Sequence, residues 1–158
     1  MIFFFLLFCL VAGAAGALAM SASMKAMSRL GGGDEVDMVL ALGSFFTGRK
    51  EGADRIGGLI HFGSGIFFGL IYGLVFSALG IFDLPAIFGA GIGIGFLHGM
   101  GMAYVLMIYM AERHPLSEFR KAPIVIGAVH LAGHIAFGAV VGLMAGIGTL
   151  LANALGLS

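Results

Sequence analysis

Residues 56–79 read IGGLIHFGSGIFFGLIYGLVFSAL, a stretch without one charged side chain, and it decides the fold. A helix rises about 1.5 Å per residue, so a run of this length crosses the roughly 30 Å hydrocarbon core of a bilayer. The same reading applies to three other stretches. Together they predict spans at about Ile2–Met24, Ile56–Leu79, Leu84–Met110 and Ile124–Leu151. The expected fold is all-α: a polytopic membrane protein built as a four-transmembrane-helix bundle, one membrane domain over residues 1–158.

Hydrophobic residues make up 60% of the chain and charged residues 10%, whereas a soluble domain is about a quarter charged. All charged side chains but Asp83 fall in two segments, Lys25–Arg55 and Glu112–Lys121. Every Lys and Arg is in one of these, so the positive-inside rule puts both in the cytoplasm. Both termini and the Asp83 turn are then extracytoplasmic, with the protein in a bacterial inner (plasma) membrane. The first apolar stretch lacks the positive n-region of a secretory signal and is read as a retained span. Residues before Cys9 lack the small residue of a lipoprotein site. A formal net charge of zero and the lack of a basic stripe exclude nucleic acid as a partner. One cysteine excludes an internal disulfide and a cysteine-based zinc site; Cys9 is expected to pack.

The first cytoplasmic connection is the sizeable one. Gly31–Gly33 breaks the chain, Asp34 suits a helix cap, and Glu35 and Asp37 suit the first turn. Met38–Phe46 is then a helix too short to span, lying in the headgroup layer or forming a lid over a cavity. The short turn around Gly80–Pro85 makes spans two and three an antiparallel hairpin. Pro123 suits the first turn of span four and Gly156 its end.

Glycine spacing suggests a repeat. His61 is followed at four-residue steps by Gly65, Gly69 and Gly73, and His134 by Gly138, Gly142 and Gly146; Leu70 matches Leu143. Each set shares one helical face. Two helical hairpins related by a pseudo-two-fold along the membrane normal would produce this pattern. Span three carries Gly91, Gly95 and Gly99, and span one Ala12 and Gly16. These small-residue faces are read as helix-packing surfaces that let backbones approach. The motifs GALAMSASM (16–24), MVLALGS (38–44) and IHFGSGIFFGLIYG (60–73) resemble a bacterial group of small four-helix inner-membrane proteins known mainly as domains of unknown function. The resemblance covers the first half, and the second half through His130, His134 and the glycines after them. It implies the four-span fold and a histidine opening span two, and no activity.

Four of the five histidines fall inside predicted spans: His61, His98, His130 and His134. Ionisable residues there are costly and mark functional sites. His98 and His134 come to similar heights near the midplane, and both are expected to face the interior in one layer. His114, beside Pro115, reads as an ordinary turn residue. The four imidazoles are compatible with three roles. They can hydrogen-bond neighbouring helices, with Ser64, Tyr104 and Ser23 available. They can ligate a b-type haem or a metal ion, through His98 with His134 or His61 with His130, although glycine ladders favour close-packed helices over a porphyrin. They can line a proton or ion path, which the lack of a carboxylate in the spans disfavours. Met20, Met24 and Met27, and Met100, Met107 and Met110, recur at helical spacing; thioethers suit Cu(I), and packing also explains such stripes. No phosphate loop, nucleophile elbow or carboxylate pair is present, and GIGIGF (91–96) lacks the strand a dinucleotide fingerprint needs. The sequence therefore points away from an enzyme acting alone. It favours a structural, accessory or assembly subunit in the lipid bilayer, packing through its glycine faces as a homo-oligomer or in a larger complex. A haem- or metal-binding electron-transfer protein is the first alternative and a proton- or ion-conducting transport protein the second.

Overall fold

The computed structural model describes residues 2–30, 37–121 and 124–157. They form five helices: α1 (Ile2–Leu30), α2 (Met38–Thr47), α3 (Ala53–Ala78), α4 (Leu84–Arg113) and α5 (Ile124–Ala154). All but α2 are long and apolar enough to cross a membrane, and no strand occurs among the described residues. The protein is all-α, a four-helix membrane bundle with one short additional helix.

Helix ends follow local chemistry. Asp83, the charge outside the two charged segments, caps α4: its Oδ2 accepts from the Ala86 N–H at 3.2 Å, with Pro85 in the first turn, where a missing N–H costs nothing. At the same end of the bundle α3 and α5 stop alike. Gly80 and Gly156 both have φ of 67°, a left-handed conformation that glycine adopts without strain. The N–H groups of Ile81 and Leu157 then reach back to the carbonyls of Phe76 and Ala152, each at 2.9 Å, satisfying orphan carbonyls. For α2 the expected cap is corrected. Asp37 is the cap, in extended conformation, its Oδ1 accepting from Val39 N–H at 3.0 Å and Leu40 N–H at 2.9 Å. It directly precedes the apolar run, which is where a carboxylate reaches the first free N–H groups. Gly31–Gly33, Asp34, Glu35 and Pro123 lie outside the described residues.

The expected hairpin of spans two and three is also corrected. The Gly80–Pro85 turn joins α3 to α4, but α3 packs along α1, α4 packs along α5, and α1 and α5 pack against each other between these pairs. Glycine faces set this arrangement. A Cβ added at Gly69 would lie 2.5 Å from the Cys9 carbonyl oxygen and 2.6 Å from Gly13 Cα. One added at Gly142 would lie 2.6 Å from the Ile87 carbonyl oxygen and 3.3 Å from Gly91 Cα. Gly65 likewise abuts Gly13 and Ala17, as Gly138 abuts Gly91 and Gly95. Cys9, Gly13 and Ala17 thus correspond to Ile87, Gly91 and Gly95, in register with the glycines of α3 and α5. The repeating unit is α1 with α3 and α4 with α5.

The two ends of the bundle differ. At the Asp83 end, Phe5, Cys9, Tyr72, Phe76, Ile87, Val141 and Ala145 make a buried core, with Phe5 edge-on to Phe82 at 5.3 Å. At the end carrying the charged connections, α3 and α4 line a shared space to which α2 also contributes Met38, Val39, Leu42 and Phe46. Gly43 on α2 meets Ala53 and Gly57 on α3 so closely that neither glycine has room for a Cβ. This pins α2 across the start of α3.

Candidate functional site: a histidine-lined cavity

The bundle encloses a cavity of about 630 Å³, to which all four transmembrane helices and α2 contribute. Ligand cavities have volumes of roughly 300–1,000 Å³. Its wall includes His61, His98, His130 and His134, so the four histidines singled out in the sequence face one space. They are not equivalent within it.

His98, on α4, and His134, on α5, meet edge to face with ring centroids 4.6 Å apart and planes at 79°. His130 lies one turn from His134, its ring also 4.6 Å away. The Nδ1 of His134 is 3.0 Å from the His130 carbonyl. A carbonyl only accepts, so Nδ1 carries the proton and Nε2 bears the lone pair. The Nδ1 of His98 shares a 3.3 Å hydrogen bond with the buried Tyr72 hydroxyl. Its Nε2 is buried and finds no hydrogen-bond partner among the described residues, and the same holds for His130 Nδ1.

His61 is held differently, and the repeat explains why. His61 is the counterpart of His134, and in the same register Ser21 is the counterpart of Gly99. The His61 Nε2 lies 3.0 Å from Ser21 Oγ and 3.3 Å from the Ala17 carbonyl, so this nitrogen is engaged. Gly99 offers no side chain; a Cβ there would lie 2.8 Å from His134 Cβ. His134 therefore bonds its own helix through Nδ1 and leaves Nε2 free. At this position the first repeat has a serine, whose hydroxyl engages the His61 imidazole, and the second a glycine, which has no side chain to engage His134.

Methionines complete the wall: Met20, Met24, Met27, Met38, Met102 and Met110. Met20 and Met24 are buried and sit in the space left by Gly133, the residue before His134 on α5. The charged lining side chains among the described residues are Lys25 and Asp37, both exposed at the mouth. Near the mouth α4 widens into a π-helical segment, Val105–Met110, which supplies Val105, Leu106 and Met110 to the cavity. Such segments recur at functional sites, and nothing in the sequence announces this one. Among the described residues no three His, Cys, Asp or Glu side chains form a metal-binding group.

The nine ladder glycines (Gly65, Gly69, Gly73, Gly91, Gly95, Gly99, Gly138, Gly142 and Gly146) all meet atoms of neighbouring helices of the same chain within 3.0 Å of where a Cβ would stand. Of the hydrogen-bond partners expected for the histidines, Ser23 bonds its own helix at Ala19 instead. Ser21 and Tyr72 take that role, two residues the sequence reading did not select.

His114 corrects the expectation of an ordinary turn residue. It is 2% exposed, its Nε2–H donates to the Ala41 carbonyl on α2 at 3.0 Å, and its Nδ1 accepts from the Leu116 N–H at 3.1 Å. Phe45 and Phe119 flank the ring. Lys50 and Glu118 form an ion pair at 2.6 Å nearby. The short helix over the cavity is thus fastened to the α4–α5 connection.

No family model, curated protein or solved structure matches the chain significantly.

Proposed function

We propose that the protein is an integral membrane metal-binding protein that holds an ion on the paired imidazoles of His98 and His134. The observation that carries this reading is the pair itself. Two imidazoles from different helices meet in the cavity, each anchored through Nδ1, so that Nε2 is left for a ligand. A metal-ligating histidine has this form, since its second nitrogen is normally fixed by a carbonyl, carboxylate or hydroxyl. With Nδ1–H of His98 donating to the Tyr72 oxygen, both Nε2 atoms present lone pairs. A set of histidines serving only to pack helices would leave fewer loose ends, because each buried unpaired group costs about 1–3 kcal/mol.

The other expectations draw less support. A porphyrin does not fit between two rings 4.6 Å apart and edge to face, which disfavours haem on this pair. Conduction needs polar groups on both sides of the site, whereas beyond Tyr72 the interior is Phe76, Phe5, Ile87 and Val141. An accessory subunit would offer its glycine faces to a partner, but those faces are used between the chain's own helices. The clustering of every Lys and Arg in the two charged connections supports a cytoplasmic cavity mouth by the positive-inside rule.

The test is the composition of the protein purified in detergent from its native membrane. The reading requires about one metal ion per chain and no Soret absorption. A Soret band assigns the cavity to haem instead. Protein that neither carries a metal nor takes one up on titration defeats the proposal.

A further inference from the structure

Resting on the metal-centre reading, we infer that the ion is monovalent copper, and that Met20 and Met24 complete its coordination.

Besides the His130 imidazole, whose ring is 4.6 Å from that of His134, the cavity wall around the pair carries thioethers. Met24 Sδ would be 3.0 Å from a Cβ built on Gly133, and Met20 Cγ 3.2 Å. Gly133 directly precedes His134 on α5, and the space left by its missing side chain holds both methionines. Both are buried, at 5% and 9% exposure, and both line the cavity. In the repeat register Met20 and Met24 are the counterparts of His98 and Met102, so the two halves present comparable ligand positions to one space.

Ligand type and charge then select the ion. Zinc sites take three or four His, Cys, Asp or Glu ligands, and no such group of three exists among the described residues. Thioether sulfur favours Cu(I) among biological metals. Imidazole and thioether are neutral, and the lining carboxylate described, Asp37, is at the mouth. The full charge of the ion is thus carried into an apolar interior. The Born cost rises with the square of the charge, so a monovalent ion is favoured over a divalent one.

The full chain in detergent is titrated anaerobically with Cu(I) against bicinchoninate, and separately with Zn(II). The copper-loaded wild type is also examined by X-ray absorption. We expect sulfur in the copper coordination shell and Cu(I) held in preference to Zn(II). The Met20→Leu/Met24→Leu double variant, close in volume, should bind Cu(I) at least about tenfold more weakly. A copper shell of nitrogen alone, or a double variant that binds Cu(I) like the wild type, overturns the inference. If His98→Gln loses the metal while the double variant does not, the imidazole centre stands and the copper assignment falls. If copper binding survives His98→Gln combined with His134→Gln, both fall. The X-ray absorption result on wild type decides the matter even where a variant fails to fold.

Discussion

Replacing Gly69 by alanine adds one methyl group at the α1–α3 seam, and the structure gives its consequence. The new Cβ would stand 2.5 Å from the Cys9 carbonyl oxygen, 2.6 Å from Gly13 Cα and 2.8 Å from Gly13 N. Carbon atoms rest at about 3.5–4.0 Å, and all three neighbours are backbone, so no side chain can turn aside. The helices must separate by about 1 Å. A gap of this size forfeits roughly a quarter to a half of each dispersion contact along the seam, and overpacking of this kind costs about 1–3 kcal/mol. Gly142, its repeat counterpart, has its next neighbours at 3.1 and 3.3 Å, so Gly142→Ala should fall at the lower end of that range. Gly93 has nothing within 4 Å; Gly93→Ala should be neutral or gain up to about 1 kcal/mol from helix propensity. Equilibrium unfolding in mixed micelles, with SDS titrated in and helicity followed by circular dichroism, measures all three. Equal effects of Gly69→Ala and Gly93→Ala would refute the assignment of the seam.

Other outcomes follow from the charged end. His114→Ala leaves the Ala41 carbonyl and the Leu116 N–H without their partner, a loss of about 1–3 kcal/mol that should appear as faster amide exchange in Met38–Thr47; unchanged protection there would show that His114 does not hold α2. Lys50→Met removes an ion pair whose side chains are about half exposed and should change stability by less than about 1 kcal/mol, a limit set by chemical denaturation of the variant. For the orientation, a reporter active only in the periplasm should give signal when fused at Ser158, and a signal confined to a cytoplasmic reporter there would reverse it.

The spans were legible because lipid imposes a length and a polarity that composition reveals directly, as in residues 56–79. The His61 and His134 glycine stripes indicated the repeat, since four-residue spacing marks one helical face. Which helix each stripe meets was not legible. The short turn at Gly80–Pro85 suggested α3 against α4, but contact between helices depends on where both faces point, and those of α3 and α4 point to α1 and α5. The height of His98 and His134 could be counted along the helices. The anchoring of their Nδ1 atoms could not, because it depends on Tyr72 from a third helix and on the absence of a side chain at Gly99. His114 was misread for a similar reason: its partner Ala41 is on α2, far away in sequence, and a histidine beside a proline in a charged turn carries no local sign of burial. The π-helical segment left no mark in VLMIYM (105–110) that separates it from ordinary helix.

The metal content of single histidine variants tests the central claim most directly. Wild type, His98→Gln, His134→Gln and His61→Gln are purified in parallel, loaded under identical conditions, desalted and analysed for bound metal. Glutamine keeps a donor and an acceptor, so the variants preserve hydrogen bonding while removing an imidazole ligand. The account predicts that His98→Gln and His134→Gln lose the ion, while His61→Gln, whose Nε2 is already engaged by Ser21 and Ala17, retains it. Retention of the wild-type amount by His98→Gln and His134→Gln would contradict the account.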